Sequence, residues 1–338
     1  MNVIDIFRDD AFSMISMTEA LEKVYEPTSD LIKSGLFNPL PINTEHLMFD
    51  MRERHFNILP VTDRGAPLPY RTFAKGAKIA FDTFRIGESA KLRASELAYL
   101  LQFGTADKML AGAQKEVAVR QQALLTDIDA TLEHMALSAI DGRLIDKDGT
   151  VIVDFFQAFG LTRNPTVDFA LATLKDGELK EKLTQTVIRP MRRSAAGARF
   201  SMVNGWCGDA AWDKLLKNPE VRESQKNRRE NGLENNSNLA QSIEFGGILW
   251  TNYVQDAEGK LKIDDDEIKF IPGGKGNTVF RDVRAPGETF DDLGTYGREI
   301  YTRVLLDEKR NEGVELEAMT YRLLLCTRPE MLGFGAAV

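Results

Sequence analysis

The segment most suggestive of chemistry is Gly273-Gly274-Lys275-Gly276, which follows the strand-like run Phe270-Ile271-Pro272. Glycine-rich loops cradle phosphates because backbone N–H groups approach an anion closely only where no Cβ intervenes. The decisive part of that pattern is missing. A phosphate loop needs a hydroxyl residue after its lysine and then a helix, whereas Lys275 precedes Gly276, Asn277 and the strand-like Val279-Phe280. Gly273 and Gly274 are therefore read as a structural turn, with no cofactor assigned.

The other chemistry-bearing residues read the same way. Asp264, Asp265, Asp266 and Glu267 form the densest acidic cluster, but the ligand spacing of a calcium loop is absent. Consecutive acids point in different directions on a helix or a strand, so the cluster reads as a solvated turn. Of the three histidines, His46, His55 and His134, only His134 has a carboxylate beside it, Glu133, and adjacent residues on a helix do not face each other. It reads as a satisfied surface or interface histidine. Cys207, in Gly205-Trp206-Cys207-Gly208, has no sequence neighbour that would lower its thiol pKa, and reads as part of a structural turn beside a packed Trp206. No nucleophile elbow, HExxH pair or Cys and His cluster is present. No catalytic, cofactor-binding or metal-ligating residue is assigned.

Composition narrows the remaining classes. The chain has 338 residues, of which 51 are Asp or Glu and 43 Lys or Arg, a formal charge of -8. That sign is opposite to the electrostatic footprint of a nucleic-acid reader. Hydrophobic residues make up 43% and charged residues 28%, which suits a folded protein of about two domains. Cys207 and Cys326 are far apart and encode neither a disulfide framework nor a zinc site. Asp5, Arg8, Asp9 and Asp10 stand where a secretion signal would need an apolar core, and no run approaches the roughly 18 apolar residues of a membrane span. A cytoplasmic, membrane-free protein is expected.

The elements that must position these residues follow from periodicity. Residues 1 to about 50 mix a short amphipathic stretch with Pro27, Gly35, Pro39 and Pro41, and read as an arm without its own core. Extended residues Phe56, Ile58 and Val61 lead to a turn-rich tip at 63–69, followed by Ile79, Phe81, Phe84 and Ile86. This is a long two-stranded loop, too marginal to stand alone, so its tip is expected to rest on another surface. Thr105 suits an N-cap, and Leu110, Ala113, Val117, Leu124, Ile128, Leu132, Met135 and Ala139 recur at helical spacing. One helix from about Ala106 to Asp141, stopped by Gly142, would span on the order of 50 Å.

Asp148-Gly149 between two β-prone runs is the strongest hairpin signal, read as a two-residue turn with positive φ at Gly149. A second region begins near Leu161. It is expected to carry a helix from Gly177 to Arg193, a strand at Arg199 to Val203, and an exposed polar helix and loop at Lys214 to Asn238. Strands are expected at Phe245 to Val254 and Ile268 to Ile271, with alternation from Val314 to Met319 before the apolar Leu323 to Cys326.

Several of these segments together carry a resemblance. They are Asn57-Ile58-Leu59-Pro60 with Arg64-Gly65; the hairpin Asp146 to Asp154 followed by Phe155-Phe156 and Phe159-Gly160; Phe270-Ile271-Pro272; and Gly313 to Glu317 leading to Cys326-Thr327-Arg328-Pro329-Glu330. The chain resembles the lambda-type bacteriophage major capsid proteins, the phage capsid protein E family, over most of its length.

The resemblance implies an α+β, Hong Kong 97-like capsid fold with an N-terminal arm (1–50), an extended E-loop hairpin (51–92), a peripheral domain with spine helix and hairpin (93–160), an axial domain (161–312) and a C-terminal strand returning to the peripheral domain (313–338). It implies a non-enzymatic subunit that assembles with itself as hexamers and pentamers in an icosahedral shell. Scaffolding, portal and decoration proteins are the implied partners. Packaged double-stranded DNA would be contacted weakly and without sequence specificity, and the location would be the virion, with assembly in the host cytoplasm. Arg64, Gly65, Pro67, Leu68, Pro69 and Tyr70 at the loop tip are the expected intersubunit contacts. Lys75 and Lys78 match no isopeptide motif, so closure is expected to be noncovalent. An encapsulin-like nanocompartment shell is the alternative that the same fold leaves open.

Overall fold

The computed structural model describes residues 30–51, 77–97, 106–171, 174, 177–195, 197–230, 242–253, 261, 263–274, 276–307 and 312–337. The chain divides into two compact units: Met1–Leu47, Asp82–Ala136 and Arg281–Leu325 form the first, and Met48–Phe81, Leu137–Phe280 and Cys326–Val338 the second.

The first unit is built on the long helix Ala106–Ile140, within one residue of the span that periodicity sets. Ala113, Val117, Leu124, Ile128, Leu132, Met135 and Ala139 are all buried, as the helical spacing requires. Leu124, Leu125, Ile128 and Leu132 pack with Ile300, Ala318, Ile86 and Ala90. The sheet beneath has strands Asn38–Pro41, Phe280–Arg284, Gly313–Cys326 and Tyr301–Leu306 in that order, with Phe84–Arg93 also pairing with Gly313–Cys326. That 14-residue strand runs without a break through both the alternating and the fully apolar stretches. Its apolar end is buried on both faces, so the change of pattern marks a change of surroundings and not a change of element.

The second unit holds a six-stranded sheet: Thr166–Asp168, Gly333–Ala336, Glu267–Gly273, Met202–Cys207, Ile248–Asn252 and Ser242–Phe245. Trp250 and Phe169 flank Phe270 with ring centroids 5.4 Å away in each case, and all three side chains are fully buried. Gly335 is required here, because a Cβ would lie 2.8 Å from the Phe169 ring.

Some expected elements differ. The single strand expected at Phe245 to Val254 is a hairpin, because Gly246 and Gly247 take φ of 63° and 80° and reverse the chain. The strand expected at Arg199 to Val203 lies instead at Met202–Cys207, paired with Glu267–Gly273 on one side and Ile248–Asn252 on the other. Trp206 and Cys207 therefore belong to a central strand, not to a turn. The helix expected at 177–193 is present as Glu178–Leu183, a π-helical segment Thr184–Ile188, and Arg189–Ser194. Residues 313–338, read as one returning piece, divide between the sheets: Gly313–Cys326 enters the five-stranded sheet and Gly333–Ala336 the six-stranded one.

Candidate assembly surfaces

The hairpin turn is built from local hydrogen bonds. Gly149 N–H donates to the Asp146 carbonyl at 2.9 Å, and Asp146 N–H donates to Thr150 O at 2.9 Å. The Asp148 carboxylate accepts from Thr150 N–H at 2.9 Å, a hydrogen bond that holds its pKa below the ordinary value. Gly149 has the expected positive φ, 86°, but the loop contains three residues rather than two: a turn followed by one left-handed glycine.

At the glycine-rich segment the carbonyls of Gly273 and Gly274 accept hydrogen bonds from within the chain. Ser201 N–H donates to Gly273 O at 3.0 Å, and Asn277 N–H to Gly274 O at 3.2 Å. The Asn277 side chain donates to Pro272 O and accepts from Val279 N–H. Gly273 lies against Asn204 and Gly274, with φ of 92°, against Ser201, so both glycines serve close backbone packing. Lys275 lies outside the described residues.

The acidic cluster ties loops together. Asp264 O accepts from Glu267 N–H, Asp265 O from Ala211 N–H, and Asp266 Oδ1 lies 2.8 Å from Lys214 Nζ. Among the described residues, no group of three or more His, Cys, Asp or Glu side chains is placed to hold a metal. Cys207 is fully buried, its Sγ donates to Thr251 O at 3.5 Å, and burial pushes its thiol up to about 12. His46 Nδ1 lies 2.8 Å from Asp82 Oδ1 on the exterior. His55, the expected loop-tip contacts Arg64, Gly65, Pro67, Leu68, Pro69 and Tyr70, and Lys75 lie outside the described residues. Lys78 is exposed on the strand Ala77–Asp82.

Three features of the structure went unseen in the sequence. The first is an exposed apolar loop in the first unit: Phe290, Leu293 and Tyr296 are 93%, 73% and 65% exposed. The loop is nevertheless braced by hydrogen bonds. Buried Asp292 accepts from Thr289 Oγ1 at 2.5 Å through its side chain and from Thr295 Oγ1 at 2.7 Å through its carbonyl. Gly297 N–H donates to Ile42 O, and Tyr301 Oη accepts from Arg298 N–H while donating to Ala285 O. Phe290, Leu293 and Tyr296, spaced among polar residues and glycines between Pro286 and Gly297, were the available sequence signal.

The second feature is a buried ionic network in the same unit. Arg322, 1% exposed, lies 3.2 Å from Glu299 Oε1 and 3.6 Å from Asp282 Oδ2, and Arg284 reaches the same two carboxylates at 3.1 and 2.7 Å. The third, in the second unit, is a hub just past the long helix, where Asp141 Oδ1 lies 2.7 Å from both Arg163 and Lys269. Arg163 also stacks 4.1 Å from the centre of the Phe334 ring. Burial pushes the Asp141 carboxyl up, but the hydrogen bonds and charges of Arg163 and Lys269 outweigh it and hold the pKa below 3.8.

Taken together, these are structural devices: closed turns, buried ion pairs and a hydrogen-bonded apolar loop. Among solved structures, a prophage protein of E. coli CFT073 described as a proposed capsid protein superposes with a TM-score of 0.57 over 96% of this chain and 99% of its own, at 11% identity. The architecture is that of Hong Kong 97-like phage capsid proteins.

The phage major capsid protein E family model matches residues 13–336, and the chain belongs to that family. The major capsid protein of Salmonella phage Felix O1 is 22% identical over 95% of both chains. That of Pseudomonas phage KPP10 is 25% identical over 56% of this chain and 57% of its own. The chain is thus a major capsid protein of a tailed phage, a component of the icosahedral head, and these relatives favour that reading over a nanocompartment shell. Among the described residues, no helix is long and apolar enough to cross a membrane.

Proposed function

We propose that the subunit acts only by noncovalent assembly, forming hexamers and pentamers through the E-loop tip at Arg64, Gly65, Pro67, Leu68, Pro69 and Tyr70 and through the braced loop carrying Phe290, Leu293 and Tyr296. On this reading residues 1–50 are the N-terminal arm and 51–92 the E-loop; the unit with the spine helix and the strands Tyr301–Leu306 and Gly313–Cys326 is the peripheral domain, and the unit with the six-stranded sheet, Gly333–Ala336 included, is the axial domain. A scaffolding protein directs assembly in the host cytoplasm, a portal occupies one vertex, and a decoration or head-stabilising protein reinforces the shell around double-stranded DNA. The subunit performs no catalysis.

The observation that carries this reading is the braced apolar loop. Three large apolar side chains within seven residues are exposed on a loop that is tied by its own hydrogen bonds. Such a patch is costly for an isolated subunit and becomes favourable when another surface covers it. A shell made of many copies supplies that surface, and each contact is repeated throughout it.

Replacing Phe290, Leu293 and Tyr296 with serine tests the proposal. The side chains contribute little to the subunit's own core, so circular dichroism and the melting temperature should stay at wild-type values. Co-expression with the cognate scaffold should then yield monomers or small oligomers on sedimentation instead of shells. Normal shells from this variant would remove the loop from the assembly mechanism.

A further inference from the structure

The helical rod Glu178–Leu183, Thr184–Ile188 and Arg189–Ser194 buries Leu179, Leu183, Val187 and Met191. Arg189, Arg192 and Arg193 lie on the side away from Met191 and are all exposed. Their spacing of i, i+3 and i+4 makes them neighbours on one helical face, with Cβ atoms about 5–6 Å apart. Among the described residues, no carboxylate lies within ion-pair distance of any of the three.

The nearby acids are engaged elsewhere. Glu181 accepts from Gln185 at 2.7 Å, and Glu330, on the turn Pro329–Met331, lies 3.4 Å from Arg328. Other arginines of the chain are paired: Arg120 with Glu96, Arg163 with Asp141, Arg284 with Asp282, Arg303 with Glu317. The helix dipole favours cations in a last turn, but it gives no reason for three arginines to share one unpaired face.

We propose that Arg189, Arg192 and Arg193 form a contact for the phosphates of duplex nucleic acid, made without reading sequence. Guanidinium forks match phosphate oxygens in a bidentate manner, and a duplex presents a negative charge about every 1.7 Å along its axis. An acidic protein segment is the competing partner. The patch lacks the apolar anchor on which protein interfaces depend, since none of the exposed large hydrophobic side chains comes from residues 177–199. The formal charge of -8 makes the contact local: most of the surface repels DNA while this face holds it. The inference rests on the reading of the shell as a DNA container and assigns the wall's contact to a defined site.

The test is fluorescence anisotropy of a labelled mixed-sequence DNA duplex with the full-length subunit across a salt series. Each phosphate neutralised contributes about 0.9 to the slope of log K against log salt. The variant R189Q/R192Q/R193Q should flatten the slope by roughly 2 to 3, and R189K/R192K/R193K should retain it. K33Q/K78Q/K91Q removes equal charge from exposed lysines elsewhere and should leave the slope unchanged. Should the glutamine triple variant lose its circular dichroism, R192Q and R193Q singly should each lower the slope by about 0.9.

Equal flattening in the lysine control would overturn the assignment, as would a wild-type subunit that binds no duplex or binds a polyglutamate peptide more tightly. Sedimentation separates the two readings. Wild-type shells that form without duplex affinity would leave the assembly proposal standing and remove this one.

Discussion

Gly149 illustrates how a single residue sets a turn by backbone freedom alone. Nothing lies within 4 Å of where its Cβ would be, so a side chain there has room and the penalty is conformational, arising from a φ of 86°. Gly149→Val should lower stability by roughly 1–3 kcal/mol in denaturant titrations, whereas Gly149→Asn should lose less, since asparagine tolerates the left-handed region. Equal losses would show that the side chain clashes. Asp141 acts through charge instead. Its folded pKa lies below 3.8, so its contribution to stability is fully present above that value and is lost as pH falls through the folded pKa. Asp141→Asn should therefore reduce stability at neutral pH by about 1–3 kcal/mol, with the gap from wild type closing in acid. A gap that stayed constant with pH would mean that the carboxylate charge is immaterial.

At the scale of elements, what the sequence disclosed depended on whether local pattern or distant partners decided the outcome. The long helix was legible because its apolar positions repeat over many turns and Gly142, with φ of 84°, closes it. The Gly246-Gly247 reversal was missed because the apolar residues on either side read as one run. The π-helical segment Thr184–Ile188 leaves the apolar spacing nearly unchanged and so was invisible. The Arg322 network was also unreadable: Asp282, Arg284, Glu299 and Arg322 meet only when separate strands and a loop come together. Removing one partner strands a buried charge, so Asp282→Ala should destabilise the subunit by about 3–5 kcal/mol. An unchanged unfolding midpoint would show that Arg284 and Glu299 suffice to hold Arg322.

At the scale of the whole molecule the proposed function is geometric, resting on surfaces that other copies would cover. The loop tip predicted from its turn residues and the braced loop found in the fold propose separate contacts, and their effects should differ from those of the buried networks. Loss of Asp141 or Asp282 should weaken the isolated subunit, while loss of the surface loops should spare it and block assembly. Because about 1.4 kcal/mol per contact is tenfold in each association constant, modest losses repeated around a shell abolish closure. The most direct measurement replaces residues 64–70 with a short Gly-Ser turn and compares that variant with wild type, each co-expressed with the cognate scaffold, by sedimentation and negative-stain microscopy. The account predicts closed shells from the wild type, and monomers or small oligomers with native circular dichroism from the variant. Closed shells from the variant, or a variant that no longer folds, would contradict it.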